Sequence, residues 1–142
     1  MKNKLILSLL LMVACQARAV VLITDNEAHL PPAAVVQTRG ITRGPGIALV
    51  SPASGQSIKS PFDLKINFEE RGGVKIDPTS VSVTYLRAPV VDLTSRLRPV
   101  VSANGIVLNQ AEVPPGDHQI SIRVKDAEGR ESHTIIDLKV AP

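Results

Sequence analysis

Three histidines, His29, His118 and His133, are the side chains best suited to chemistry in this 142-residue chain. A zinc or copper site needs imidazole nitrogens converging at about 2 Å from one ion. His118 and His133 fall within what reads as one hairpin. If Lys125 pairs with Arg130 across its loop, His118 lies opposite Asp137 and His133 opposite Ile122. The rings are then offset by about four residues, roughly 13 Å at ~3.3 Å per residue, too far to share an ion. His118 is expected to hydrogen-bond or pack at the turn, as a corner tyrosine does in β-sandwiches, and His133 to be exposed. Asp126 and Glu128 offer oxygens to calcium from the loop of that hairpin. Calcium takes about six to eight ligands, so an ordinary solvated loop is the expectation.

Other chemistries find even less. Ser54, before Gly55, has no base or orienting acid beside it, and there is no Gly-x-Ser-x-Gly elbow. Glu69 and Glu70 are adjacent, so in an extended segment they point to opposite faces and cannot bracket one substrate bond. Gly44-Pro45-Gly46 precedes a strand, and Pro45 removes an N–H that a phosphate would use. There is no tryptophan; Phe62, Phe68 and Tyr85 are the aromatic residues, and all three are expected in the core, which disfavours a stacking face for sugar. No catalytic, cofactor-binding or metal-binding residue is assigned.

The N-terminus reads as an export signal over 1–19. Lys2 and Lys4 precede an apolar run from Leu5 to Ala14, and Ala17-Arg18-Ala19 is a small-x-small cleavage site. At roughly ten residues the run is too short for a mature transmembrane helix. Met12-Val13-Ala14-Cys15 offers an alternative, lipidation at Cys15; cleavage after Ala19 is preferred. Lys2, Lys4 and Arg18 leave with the signal, so the 16 basic and 13 acidic residues of the chain become 13 of each. The basic character belongs to the signal, which argues against nucleic acid or anionic membrane as partner. The single cysteine leaves too, so no internal disulfide can form.

What remains must build its own core. Val113 to Val140 reads as a turn, a strand, a polar loop and a second strand. Ile120, Ile122 and Val124 alternate with polar neighbours, as do Ile136, Leu138 and Val140, the period of half-buried antiparallel strands. Phe62, Leu64, Ile66 and Phe68 repeat the pattern, and so do Val81, Val83 and Tyr85. Shorter strands are expected at Ile47–Ser51 and Ile106–Leu108. Asp77-Pro78 reads as a turn within a 69–78 connection. Pro89 makes 87–100 an edge strand and loop, with Asp92 capping one helical turn over Leu93–Leu97. About seven short strands with turn signals between them predict an all-β, immunoglobulin-like antiparallel β-sandwich over 47–142. Residues 20–46 read as an extended connector, with a short-strand candidate at Val20–Ile23, capping-box spacing at Thr24-Asp25-Asn26-Glu27 for one helical turn to about Leu30, and Thr-Arg-Gly at 38–40 and 42–44. A solvated linker is preferred there over an arm that docks on an acidic partner.

Three stretches resemble the bacterial immunoglobulin-like modules of secreted and cell-envelope proteins. They are Ser51-Pro52-Ala53-Ser54-Gly55 with Pro61 and the strand to Phe68, Lys75 to Val83, and Val113 to Arg130. The chain is more distantly similar to periplasmic copper-resistance carriers, which share the opening and the Pro-x-Gly hairpin. That resemblance implies an N-terminal histidine and an Asp-Gly-His segment as copper ligands. The corresponding loop is Asp126-Ala127-Glu128-Gly129-Arg130 and cleavage leaves Val20 first, so the ligands do not carry over.

Together these features imply an exported, non-catalytic binding or structural module, periplasmic or secreted, with a protein or envelope component as partner. A copper, calcium or small-ligand carrier and an accessory sugar-binding module are the alternatives. Arg71, Arg87, Arg96 and Arg98 are the candidate partner contacts, in the loops around 69–78 and 87–105.

Overall fold

The computed structural model describes residues 18–35 and 42–142. Cys15, the apolar run before it and the first Thr-Arg-Gly lie outside the described residues. The described chain forms a sandwich of two sheets. The first holds β1 (Val20–Val21), β8 (Gly105–Glu112), β4 (Phe62–Glu69) and β2 (Gly46–Ser51) in that order, with β7 (Val101–Ser102) also on β8. The second runs β3 (Ser57–Ile58), β10 (Glu131–Val140), β9 (Gly116–Asp126), β5 (Ile76–Tyr85) and β6 (Val91–Asp92). Two helical turns, α1 (Asp25–Ala28) and α2 (Thr94–Leu97), lie outside the sheets. No described helix is long and apolar enough to cross a membrane.

The alternating residues do what their period dictates. Leu64, Ile66 and Phe68 are buried, as are Val81, Val83 and Tyr85, then Ile120, Ile122 and Val124, then Ile136, Leu138 and Val140. They meet in one core between the sheets. The expected seven antiparallel strands become ten. Four of these are two-residue segments, and two of those pair in parallel, β1 with β8 and β3 with β10. A two-residue strand has no periodicity to read, and parallel pairing leaves no mark in the turns. Asp77-Pro78 also departs from expectation. It does not end a connection but sits inside β5, where the pairing with β9 skips between Asp77 and Ser82. The Asp77 carboxylate accepts the Thr79 N–H at 2.9 Å and the Thr79 hydroxyl at 2.6 Å. The same chemistry that makes a turn here makes a bulge.

The closing hairpin keeps its strands but moves its register by one. Lys125 pairs with Glu131, not Arg130, so His118 lies opposite Leu138 and His133 opposite Arg123. The reason is parity. Directly opposed residues in an antiparallel pair share a face. The core-facing residues of both strands carry even numbers, so paired numbers must sum to an even value. The Asp126 N–H donates to the Arg130 carbonyl at 3.1 Å and closes the loop inside that pair.

Two glycines permit close approaches. A Cβ on Gly105, which also has φ +144°, would collide with the Ile66 carbonyl, where β8 lies against β4. A Cβ on Gly44 would fall 2.6 Å from Ser132 Oγ. That contact, with the Thr42 hydroxyl donating to the Glu131 carbonyl at 2.7 Å, seats the chain against the start of β10 before β2.

Residues 20–30 form the expected short strand and capped turn, but they are built into the core where a solvated connector was expected. Val20 and Val21 add to the edge of β8 beside Ala111 and Glu112. Leu22 and Ile23 are wholly buried in the core. Thr24 then caps α1 through a reciprocal capping box with Glu27. The Glu27 carboxylate accepts two hydrogen bonds from Arg96 of α2, at 2.6 and 2.9 Å, while Arg96 Nη1 also donates to the Leu22 carbonyl at 2.8 Å. Hydrogen bonding from Arg96 pulls the Glu27 carboxyl down from 4.5 to about 2, against the opposing effect of burial and with help from Thr24. The pair therefore stabilises the fold above pH 4.5, and its contribution fades as pH falls from 4.5 towards 2. Glu27→Gln is expected to cost about 2 kcal/mol at neutral pH, since the pair is charge-assisted but partly solvated. In thermal unfolding against pH, the variant should lose the acid-dependent part of the wild-type profile; equal profiles would refute the assignment.

Candidate functional site

The best-defined polar constellation lies where β5 ends beside the start of β9. Tyr85 and His118 are core-facing residues on these strands, and both are almost fully buried. Tyr85 Oη is 2.8 Å from His118 Nδ1, and His118 Nε2 is 2.7 Å from the Pro114 carbonyl oxygen. Arg87 Nε donates to Tyr85 Oη at 2.7 Å, and Arg87 Nη2 donates to the Asp117 carbonyl at 3.1 Å.

The partners place one proton, and burial favours the neutral ring. A carbonyl oxygen only accepts and a guanidinium only donates. Nε2 of His118 therefore carries the proton given to Pro114. The Tyr85 oxygen accepts from Arg87 and gives its own hydrogen to Nδ1. The chain Arg87 to Tyr85 to His118 to Pro114 is complete with a neutral imidazole. Burial pushes the His118 pKa below 6.5, helped by the Arg87 charge and opposed by the Pro114 hydrogen bond and Asp117. The histidine is thus a structural member of the turn, with both nitrogens occupied, and not a free base.

Above this chain opens a cleft of about 560 Å³. Arg87 lines it together with Asp117, Gln119, Asp137 and Lys139 from the outer face of β9 and β10, and with Ser54 and Pro32 at its edge. Lys139 pairs across strands with Asp117, and Asp137 with Gln119. The Gln119 amide donates to Asp137 Oδ1 at 2.9 Å. Arg87 is held from several sides. Its guanidinium lies 4.9 Å from the centre of the Tyr85 ring, and its backbone is bridged to Pro32.

The four arginines singled out in the sequence go to different neighbourhoods. Arg87 lines the cleft. Arg96 is half-buried against Glu27 and holds the N-terminal arm, so it is not the exposed loop cation expected. Arg71 is exposed and donates to the Thr42 carbonyl at 3.3 Å, and Arg98 is exposed and donates to the Thr79 carbonyl at 3.3 Å. The histidines also part company. His118 faces the core and His133 faces solvent, so the hairpin separates them by face as well as by length. His29 is exposed and bonds to the Asp25 carbonyl at 2.6 Å.

Asp126 is buried, and its oxygens accept the N–H groups of Glu128 and Arg130 and the Arg130 Nε at 2.7 Å. Burial pushes its carboxyl up, but these hydrogen bonds and the Arg130 charge outweigh burial and leave it below the usual range. With Arg130 against it, this carboxylate is shielded from a calcium ion. No group of three or more potential metal ligands occurs among the described residues. Of the aromatic residues, Phe68 and Tyr85 are buried and Phe62 is half-buried.

Sequence reasoning named His118 and Arg87 but not their junction. Tyr85 was read as core alone, and Asp117, Gln119, Asp137 and Lys139 were not singled out. The signal available was their alternation: all four are polar and fall on the solvent face of the same hairpin. A second groove, of about 590 Å³, lies between the N-terminal arm, the β8–β9 turn and the C-terminal residues. Its walls combine Val21, Pro61, Pro114 and Pro115 with the charged Asp25, Lys59 and Glu112.

No family model matches the chain, and no curated protein matches it in sequence. Among solved structures, CopC from Methylosinus trichosporium OB3b aligns with a TM-score of 0.46 and 20% identity, covering 68% of this chain and 95% of its own. The endo-beta-1,4-mannanase from Thermotoga petrophila aligns with a TM-score of 0.45 and 17% identity, covering 70% of this chain and 20% of its own. At this level of similarity neither carries over a ligand or an activity.

Proposed function

We propose that the protein is a non-catalytic binding module of the bacterial cell envelope, exported by residues 1–19, with the cleft at Arg87 as its binding face. The observation that carries this reading is the Arg87–Tyr85–His118–Pro114 chain. It holds one cation rigidly at the mouth of a cleft and occupies both nitrogens of the only buried histidine, so the site is organised to recognise and not to transfer protons. Two further features support it. Among the described residues pairing begins at Val20, next to the expected cleavage site after Ala19. The turn motifs around Ser51–Gly55 and Val113–Arg130 favour kinship with immunoglobulin-like envelope modules.

A metal carrier is the competing function. Calorimetric titration of the purified protein with Cu(II) and with Ca(II) is expected to give only heats of dilution. Tight one-to-one binding of either ion would overturn the proposal.

A further inference from the structure

We propose that the cleft takes a small zwitterion, a free amino acid or short peptide, whose carboxylate docks on Arg87 with Lys139 beside it and whose ammonium meets Asp137. This rests on the cleft being the binding face and adds the chemistry of the ligand.

Arg87 presents a selected edge. A guanidinium offers a side-on fork through Nε and one terminal nitrogen, and an end-on fork through its two terminal nitrogens. Here Nε and Nη2 are engaged by Tyr85 Oη and the Asp117 carbonyl. Nη1 has no hydrogen-bond partner among the described residues and Nη2 carries a second N–H, so donors remain on the terminal nitrogens. No carboxylate of the described residues lies within ion-pair distance of Arg87; the six ion pairs found there involve other cations. A fixed guanidinium with no carboxylate in ion-pair contact, in a cleft that Asp117 and Asp137 also line, has donors to spare for a ligand carboxylate. Its ordering by Tyr85 and Pro32 also removes much of the entropy that a flexible arginine would lose on binding.

The rest of the cleft supplies the opposite end. Lys139 and Asp137 lie two residues apart on one strand and project from the same face, about 7 Å apart by strand geometry. Both are exposed, and Lys139 forms no ion pair among the described residues. Asp137 gives one oxygen to Gln119, leaving Oδ2 open. A positive and a negative group at that spacing fit a ligand whose carboxylate and ammonium are a few bonds apart, with one charge-assisted hydrogen bond of about 2.8 Å at each end.

The test is an NMR titration of the purified protein, following the Arg87 Nε–H and the Gln119 side-chain amide. The probes are the dipeptide Ala-Ala, acetate and alaninamide. Ala-Ala is expected to shift both signals and saturate, acetate to shift Arg87 Nε–H more weakly, and alaninamide to shift neither. Arg87→Gln and Lys139→Gln should each weaken Ala-Ala binding, the first by at least about tenfold. Asp137→Asn should weaken Ala-Ala and leave acetate unchanged. If alaninamide binds as tightly as Ala-Ala, the zwitterion proposal fails while the cleft stands as a binding face. If no probe shifts either signal, the proposal also fails. Should Arg87→Gln not fold, the two exposed variants decide: unchanged Ala-Ala affinity in both overturns the proposal.

Discussion

Leu22→Ala is expected to destabilise the sandwich by about 2–5 kcal/mol, lowering the unfolding midpoint by on the order of 10 °C. Leu22 is 0% exposed and belongs to the core cluster, although it lies at the second residue past the N-terminal edge of the fold. Its side chain fills space between the sheets, and truncation leaves a cavity that β-sheet neighbours cannot close without breaking their pairing. Val21→Ala is the control. Val21 is next in the chain but 47% exposed, and its truncation should stay within about 0.5 kcal/mol. Denaturant unfolding of the two variants separates the readings of this segment. If Leu22→Ala is as mild as Val21→Ala, residues 20–30 are a connector after all. If it is severe, the arm is as much a part of the domain as β8, and Glu27→Gln should act in the same direction through Arg96.

The burial of the arm is not legible in the sequence, for a physical reason. A strand announces itself by alternation, but Leu22 and Ile23 are consecutive and both buried. Their N–H groups both donate to the Glu112 carbonyl, at 3.0 and 3.4 Å, so the chain bends as it leaves β1 and both side chains turn inward. The capping box at Thr24 was visible because it depends on residue types at fixed offsets. What α1 packs against was not, because Glu27 finds Arg96 across a sequence separation of 69 residues. The core strands were legible throughout, since period two sorts β4, β5, β9 and β10 without knowledge of their partners. The hairpin register required one further step. Once both strands had their inward residues assigned, the parity of the pairing followed and excluded the odd register; the Asp126–Arg130 closure then sets Asp137 opposite Gln119. The cleft was legible only in fragments. Arg87 follows Tyr85 by two residues, but the meeting of Tyr85 with His118 depends on β5 lying against β9, which no local pattern encodes.

That meeting carries the last strong prediction. The hydrogen-bond chain through His118 is satisfied with a neutral imidazole, which burial favours. Burial is the main cost of a proton on this ring, and the nearby Arg87 charge adds to it. The Pro114 hydrogen bond and the Asp117 carboxylate oppose this only in part. The folded pKa is thus depressed below 6.5, and the sign of the linkage follows. Above pH 6.5 both folded and unfolded states are neutral at this residue and its contribution is fully present. As pH falls below 6.5 the unfolded chain takes up a proton that the folded one refuses, and stability drops by up to about 1.4 kcal/mol per pH unit until the folded pKa is reached. Histidine NMR of the wild type should show the His118 ring as the Nε2–H tautomer, titrating below 6.5. Tyr85→Phe removes the donor to Nδ1 and the acceptor of Arg87 Nε together, and is expected to cost about 1–3 kcal/mol at neutral pH. It should also raise the His118 pKa, because the hydrogen bond to the neutral Nδ1 is gone. The two readouts separate a hydrogen-bonded chain from mere packing: an aromatic ring of the same shape preserves packing, so Tyr85→Phe with unchanged stability and an unchanged His118 titration would show that the cleft's floor is held by shape alone.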